Sequence, residues 1–267
     1  MRIETVILDW AGTAVDFGCF APVNVFLTIF EDAGVTVTLE EARKPMGMLK
    51  IDHIRTMLEM PRINEEWKRV HHQHFSEEDV HVLYNQFESK LMESLATYTD
   101  PIQHVIATVQ HLREAGIRFG STTGYTDSMM EVVTKHAAMK GYQPDFLVTP
   151  TQVSDKGRPY PYMIFRNMEA LGSKSTKQVV KVGDTTSDIK EALNAGVWAV
   201  GVIIGSSEMG LAEEEFLALT AEEQQQAIEK TKRIFEKTGA HYTIETMKDL
   251  PILINKINEE LANEMNE

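Results

Sequence analysis

The sequence predicts an α/β fold, a doubly wound parallel sheet with an inserted helical cap domain. Three observations point there. Short apolar runs alternate with longer amphipathic ones, the pattern of strands joined by crossover helices and covered on both faces. Residues 9 to 116 carry no strand signal but hold helical patterns with apolar faces of their own, too long a stretch for a loop. Polar, glycine-bearing segments stand directly after candidate strands, where open α/β sheets bind ligands.

The first strand is Glu4 to Leu8, leading into Asp9. Helical patterns follow at Ala21 to Ala33, at Thr38 to Glu41 as a capping box, and at Leu49 to Glu59, which stops before Pro61. Further patterns run from Glu65 to His74 and from Ser76 to Leu95. Asp100 and Pro101 then read as the N-cap and first position of a core helix. The remaining strands are Ile117 to Ser121, Phe146 to Val148, Gln178 to Val182, Trp198 to Val202 and His241 to Ile244. The acidic stretch Glu213 to Lys237 reads as a solvated helix pair. These elements give a discontinuous core of residues 1–19 and 100–267 and a cap of residues 20–99.

Composition narrows the partners. The 267 residues carry 26 basic and 40 acidic side chains, a net charge of −14 that disfavours nucleic acid but allows one local basic site for a small phosphorylated ligand. The single cysteine, Cys19, excludes an internal disulfide. The chain enters a strand pattern at once, and the apolar run Val197 to Ile204 is too short to span a bilayer, so no membrane role and a cytoplasmic setting are expected.

Four segments can carry chemistry. In ILDWAGT, Asp9 emerges at the carboxyl edge of the sheet, where a carboxylate can attack phosphorus if a cation screens its approach; it can equally cap a turn before Thr13. GSTTGYT offers the hydroxyls of Ser121, Thr122 and Thr123, and Gly124 lets backbone approach an anion at a helix start; an ordinary turn with Thr126 as N-cap is the plainer reading. In GRPYP, Arg158 lies on a loop stiffened by Pro159 and Pro161, and its planar fork suits phosphate, with Lys156 as a competitor. In KVGDTTSD, Asp184 and Asp188 stand four apart and can converge as oxygen ligands for Mg2+, one directly and the other in support, unless Asp188 only caps the helix.

In this order the segments resemble the haloacid dehalogenase superfamily of aspartyl phosphotransferases. That superfamily's usual second aspartate, the general acid for a leaving alcohol, falls here on Ala11, which argues against ordinary phosphate-ester hydrolysis. The inserted segment supplies a different group. Lys50 sits among Met46, Met48, Leu49 and Ile51, surroundings that favour a neutral, nucleophilic amine, and helical spacing puts His53 and Met46 on its face. An imine between Lys50 and an aldehyde would accept the electrons of a breaking carbon–phosphorus bond. With KPMGMLKIDHI included, the chain resembles the phosphonatase branch of the superfamily from end to end. The resemblance implies cleavage of phosphonoacetaldehyde, with magnesium on Asp9, the Ala11 carbonyl and Asp184, and phosphate contacts from Thr123, Gly124 and Arg158. It further implies Lys50 as the Schiff-base residue, helper roles for Met46, His53 and Tyr125, and a homodimer built through the caps.

Other candidates are weaker. Cys19 reads as a small packed hydrophobe, and His71, His72 and His74 as a polar helix end. The rival functions are a phosphomonoesterase or phosphomutase of the same fold, and a non-catalytic phospholigand-binding protein.

Overall fold

The computed structural model of the chain describes residues 1–264. Its strands are β1 (Thr5–Leu8), β2 (Arg118–Thr122), β3 (Phe146–Val148), β4 (Val179–Gly183), β5 (Trp198–Val202) and β6 (Tyr242–Ile244). They form one six-stranded sheet in the order β3-β2-β1-β4-β5-β6, with every pairing parallel. Between β1 and β2 lie α1 (Phe20–Asp32), α2 (Leu39–Arg43), α3 (Lys50–Glu59), α4 (Pro61–His71) and α5 (Glu77–Ser94). The core helices are α6 (Val105–Glu114), α7 (Asp127–Met139), α8 (Tyr162–Leu171), α9 (Thr186–Ala195), α10 (Glu213–Ala218), α11 (Ala221–Thr238) and α12 (Leu250–Glu264).

Alternation along the strands explains the two helical layers, since successive side chains point to opposite faces. Val6 and Leu8 of β1 join the cluster that includes Val105 of α6, Met129 of α7 and Leu250 of α12, whereas Ile7 joins Ile164 of α8, Ile189 of α9 and Phe235 of α11. Register then positions the site. Leu8 pairs with Ser121 on one side and Val182 on the other, so the residues just past the ends of β1, β2 and β4 meet outside the sheet's carboxyl edge. The chain also reverses its winding beside β1, which makes this edge a topological switch point.

Three boundaries differ from the sequence reading. Asp100 and Pro101 do not open a helix: Pro101 bridges Val15, the Ile102 N–H donates to the Ala14 carbonyl at 2.9 Å, and α6 begins only at Val105. Pairing with the turn after β1 returns the chain to the core and overrides the local cap signal. The α4 helix starts at Pro61, because proline suits a first helical position, and ends at His71, with His72 left-handed at φ 57°. Finally, α3 starts at Lys50 with Leu49 as its N-cap, so Met46 lies in the preceding turn and not on the helix. The stretch from residue 213 does form a helix pair, α10 and α11.

Candidate active site

Asp9 follows β1 and is 5% exposed. The chain after it turns back at once: the Trp10 carbonyl accepts N–H groups from Thr13, Ala14 and Val15, and Gly12 adopts φ 86°. A side chain on Gly12 would enter the carboxylate of Asp184, so this turn requires glycine twice over. Asp184 follows β4; its Oδ1 accepts from the Thr13 hydroxyl at 3.3 Å and its Oδ2 from the Ser207 N–H at 2.8 Å. The Thr13 hydroxyl thus serves Asp184, while the Asp9 carboxylate accepts from Arg158.

Carboxylate oxygens of Asp9, Asp184 and Asp188 lie within 4.8 Å of one another, all buried. Burial, with the neighbouring charges of Asp9 and Asp188, pushes the Asp184 carboxyl well above the ordinary carboxylate range. Such a set of hard oxygen donors, short of positive charge, fits a divalent cation such as magnesium. Asp188 is differently engaged. It closes a capping box at the start of α9, with Oδ2 accepting from the Thr185 hydroxyl at 2.6 Å, while Oδ1 faces Lys181 Nζ at 2.8 Å and Arg158 Nη2 at 3.1 Å. Asp188 thus caps α9 with one oxygen and pairs with Lys181 and Arg158 through the other. Burial would raise its pKa, but Arg158 and Lys181 outweigh that and hold it lowered.

Arg158 is the hub. Its side chain is 1% exposed, and Nη2 reaches Asp9 Oδ1 at 2.5 Å and the Thr122 hydroxyl at 2.9 Å, while Nε donates to Glu191 at 3.0 Å. Burial disfavours its charge, yet Asp188, Asp9 and Glu191 more than offset this and keep it protonated. The competitor Lys156 is exposed, 5.9 Å from the Tyr162 ring centroid, and stays outside. Lys181 and Glu191 escaped the sequence reading. Strand alternation puts Lys181 on the α8–α9 face beneath Asp188, and one helical turn separates Asp188 from Glu191. A lysine inside the apolar run QVVKVG was the available signal.

From the helical segment comes Lys50, 3% exposed. Its Nζ lies 3.8 Å from the sulfur of Met46, 5.3 Å from the Tyr125 ring centroid and 5.9 Å from that of Phe26. Burial lowers its pKa, only partly opposed by Cys19 and Asp9. His53, one turn on, packs at 3.9 Å on Phe26 and bonds the Ala42 carbonyl through Nε2 at 2.8 Å; burial and Lys50 depress its pKa well below the usual value. The Tyr125 hydroxyl and His53 Nδ1 are buried without a partner.

One cavity gathers Asp9, Ala11, Cys19, Met46, Lys50, Thr123, Gly124, Tyr125, Arg158 and Asp184. His53 stands behind Lys50, and Asp188 behind Arg158. Of the three hydroxyls at the end of β2 and just past it, Ser121 accepts the Trp10 indole N–H at 3.0 Å, Thr122 holds Arg158, and Thr123 lines the cavity. Gly124 has a second reason to be glycine: a Cβ there would stand 2.8 Å from the Met48 carbonyl, so it admits the inserted segment's backbone against the core. Cys19, read from sequence as a packed hydrophobe, is both buried and a cavity wall, its thiol pushed well up by burial and by Asp16. The three histidines do not converge; His71 bonds the Ala33 carbonyl and stacks on Trp67.

An aspartate past β1, a hydroxyl turn past β2, a buried cation and an acidic pair past β4 define the class, and the family model for haloacid dehalogenase-like hydrolases matches residues 18–202. Full-length similarities are narrower. The chain is 94% identical over 267 residues to a phosphonoacetaldehyde hydrolase from Lysinibacillus sphaericus, covering 100% of this chain and 99% of that one. It is 53% identical over 260 residues to one from Bacillus cereus, covering 97% and 98%. A crystal structure of a phosphonoacetaldehyde hydrolase-like protein from Oleispira antarctica superposes with TM-score 0.96 at 37% identity, covering 98% of this chain and 95% of that one. The chain belongs to the phosphonoacetaldehyde hydrolase family of the haloacid dehalogenase-like hydrolases.

Proposed function

We propose that this chain hydrolyses the carbon–phosphorus bond of phosphonoacetaldehyde to acetaldehyde and phosphate, with residues 20–99 acting as a cap on the core. One observation carries the reading: a desolvated amine, Lys50, shares a cavity with a carboxylate, Asp9, where the usual proton donor is Ala11. The names of the full-length relatives support it.

The neutral Lys50 amine adds to the aldehyde and, with loss of water, forms an imine. With the imine protonated at nitrogen, Asp9 attacks phosphorus; the carbon–phosphorus electron pair becomes the new C=C bond and the C=N pair goes onto nitrogen, giving a neutral enamine on Lys50 and an acyl phosphate on Asp9. Water hydrolyses the acyl phosphate, and protonation and hydrolysis of the enamine release acetaldehyde. No alkoxide leaves, so Ala11 costs nothing, and a carboxylate there would hold Lys50 protonated. Arg158, Thr123 and the Gly124 backbone bind the phosphonate; Met46, His53 and Tyr125 surround the amine and keep it dry. Asp9, the Ala11 carbonyl and Asp184 would hold magnesium, which when bound offsets the charge between Asp9 and the phosphonate. Asp188 keeps Arg158 and Lys181 in place. The family resemblance adds a cytoplasmic setting and a homodimer joined through the caps, the latter checked by sedimentation.

The test is Lys50→Arg with borohydride trapping. Lys50→Arg should abolish hydrolysis while still binding phosphonate. Borohydride during turnover should inactivate the wild type and add mass to the peptide containing Lys50, and should do neither without substrate. A label on another lysine, or full activity in Lys50→Arg, overturns the mechanism in favour of a phosphomonoesterase.

A further inference from the structure

Arg43 ends α2, within the inserted helices, yet its guanidinium lies on the core. Nη1 donates to the Gly18 carbonyl at 2.6 Å, where the chain leaves the core, and stands 3.3 Å from the Ser207 hydroxyl. The guanidinium carbon is 4.7 Å from the Phe20 ring centroid. Ser207 in turn gives its backbone N–H to Asp184 at 2.8 Å. Only one turn, residues 44–49, separates Arg43 from Lys50.

We infer that Arg43 is a positioning residue: it latches the inserted helices to the hinge and to the loop supporting Asp184, and so holds Lys50 over Asp9. The bonds to Gly18 and Ser207 exist only with the helices seated on the core. Nε and Nη2 of Arg43 are buried without hydrogen-bond partners, so opening would return both to water. That gain on opening makes the latch shallow, as a site that must admit substrate and release product needs. The role rests on the proposed reaction only for its kinetic consequence.

Cys19 provides a direct readout. It is the chain's single cysteine, adjoins Gly18, is 3% exposed and lines the cavity, so a thiol reagent reaches it when the helices lift. Arg43→Ala should speed Cys19 labelling by about tenfold or more, the loss of charged hydrogen bonds shifting the closed population. The melting temperature should change little, kcat should fall more than KM rises, and Arg43→Lys should lie between. Arg62→Ala, which breaks a surface pair with Glu41 in the same helices, should leave labelling at the wild-type rate. Equal labelling in Arg43→Ala and wild type, or acceleration matched by Arg62→Ala, overturns the latch. If Arg43→Ala does not fold, wild-type labelling in Arg43→Lys overturns it. Faster labelling alongside a wild type inactive on phosphonoacetaldehyde would sink the reaction and leave the latch standing.

Discussion

Arg158 shows how far a single side chain can be over-determined: three carboxylates and a threonine hydroxyl fix all but one edge of its guanidinium. Replacing it with alanine should lose about 1.5 to 3 kcal/mol of substrate binding per charge-assisted bond, and Arg158→Lys should restore only part, because an ammonium cannot hold Glu191 and Asp9 at once. Steady-state kinetics of both variants check this. Asp9→Ala should abolish turnover with circular dichroism unchanged. Asp16, at the hinge, accepts N–H groups from Phe20 and Ala21 at 3.0 Å each, but burial raises its carboxyl to about 7. A raised acid binds its proton more tightly folded than unfolded, so stability falls as pH rises from the unfolded value near 4 to about 7. Asp16→Asn removes that loss and tolerates the left-handed backbone. Its melting temperature relative to wild type should therefore rise between pH 5 and pH 8; a difference independent of pH contradicts the assignment.

At the scale of elements, β4 and α9 form one charged unit inside an apolar layer. Lys181 Nζ, 2.8 Å from Asp188 and 3.9 Å from Glu191, balances carboxylates that have no access to water. Lys181→Met fits sterically but leaves Arg158 alone to balance Asp9, Asp188 and Glu191, and urea denaturation should show a loss of about 3 to 5 kcal/mol. The turn before α3 makes a different kind of contact. Gly47 has φ 87°, and a Cβ there would sit 2.5 Å from the Thr185 hydroxyl, so Gly47→Ala should push the turn off the core. Because that contact seats the turn before Lys50 against the core, kcat should drop by at least about tenfold; a normal kcat would show that this turn need not seat closely.

For the whole molecule, the proposed reaction ties activity to a divalent cation at the acidic site. Dialysis against a chelator should abolish turnover, magnesium should restore it, and the metal-free protein should stay folded, since two large apolar clusters stabilise the fold independently of the site. Loss of the folded state on chelation would make the cation structural. Among the described residues no helix is long and apolar enough to cross a membrane.

Local physics determined much of this protein. Strand positions were legible to within a residue because buried parallel strands read as short apolar runs whatever surrounds them, and the capping box at Thr38 announced its helix. Asp9, Lys50, Arg158 and Asp184 stood out because charge or acidity beside apolar or glycine-bearing segments needs a reason. The tertiary structure decided the rest. Asp100 and Pro101 joined a bridge instead of a helix because a neighbour 86 positions earlier, Val15 against Pro101, offered backbone pairing that no local window contains. Gly124 proved to be an avenue for another segment's backbone, and Arg43 a bridge between helices and core. Lys181 became a site residue only when strand register and one turn of α9 brought two carboxylates to it. Contacts of this kind depend on where distant segments meet, and sequence spacing alone holds no record of that distance.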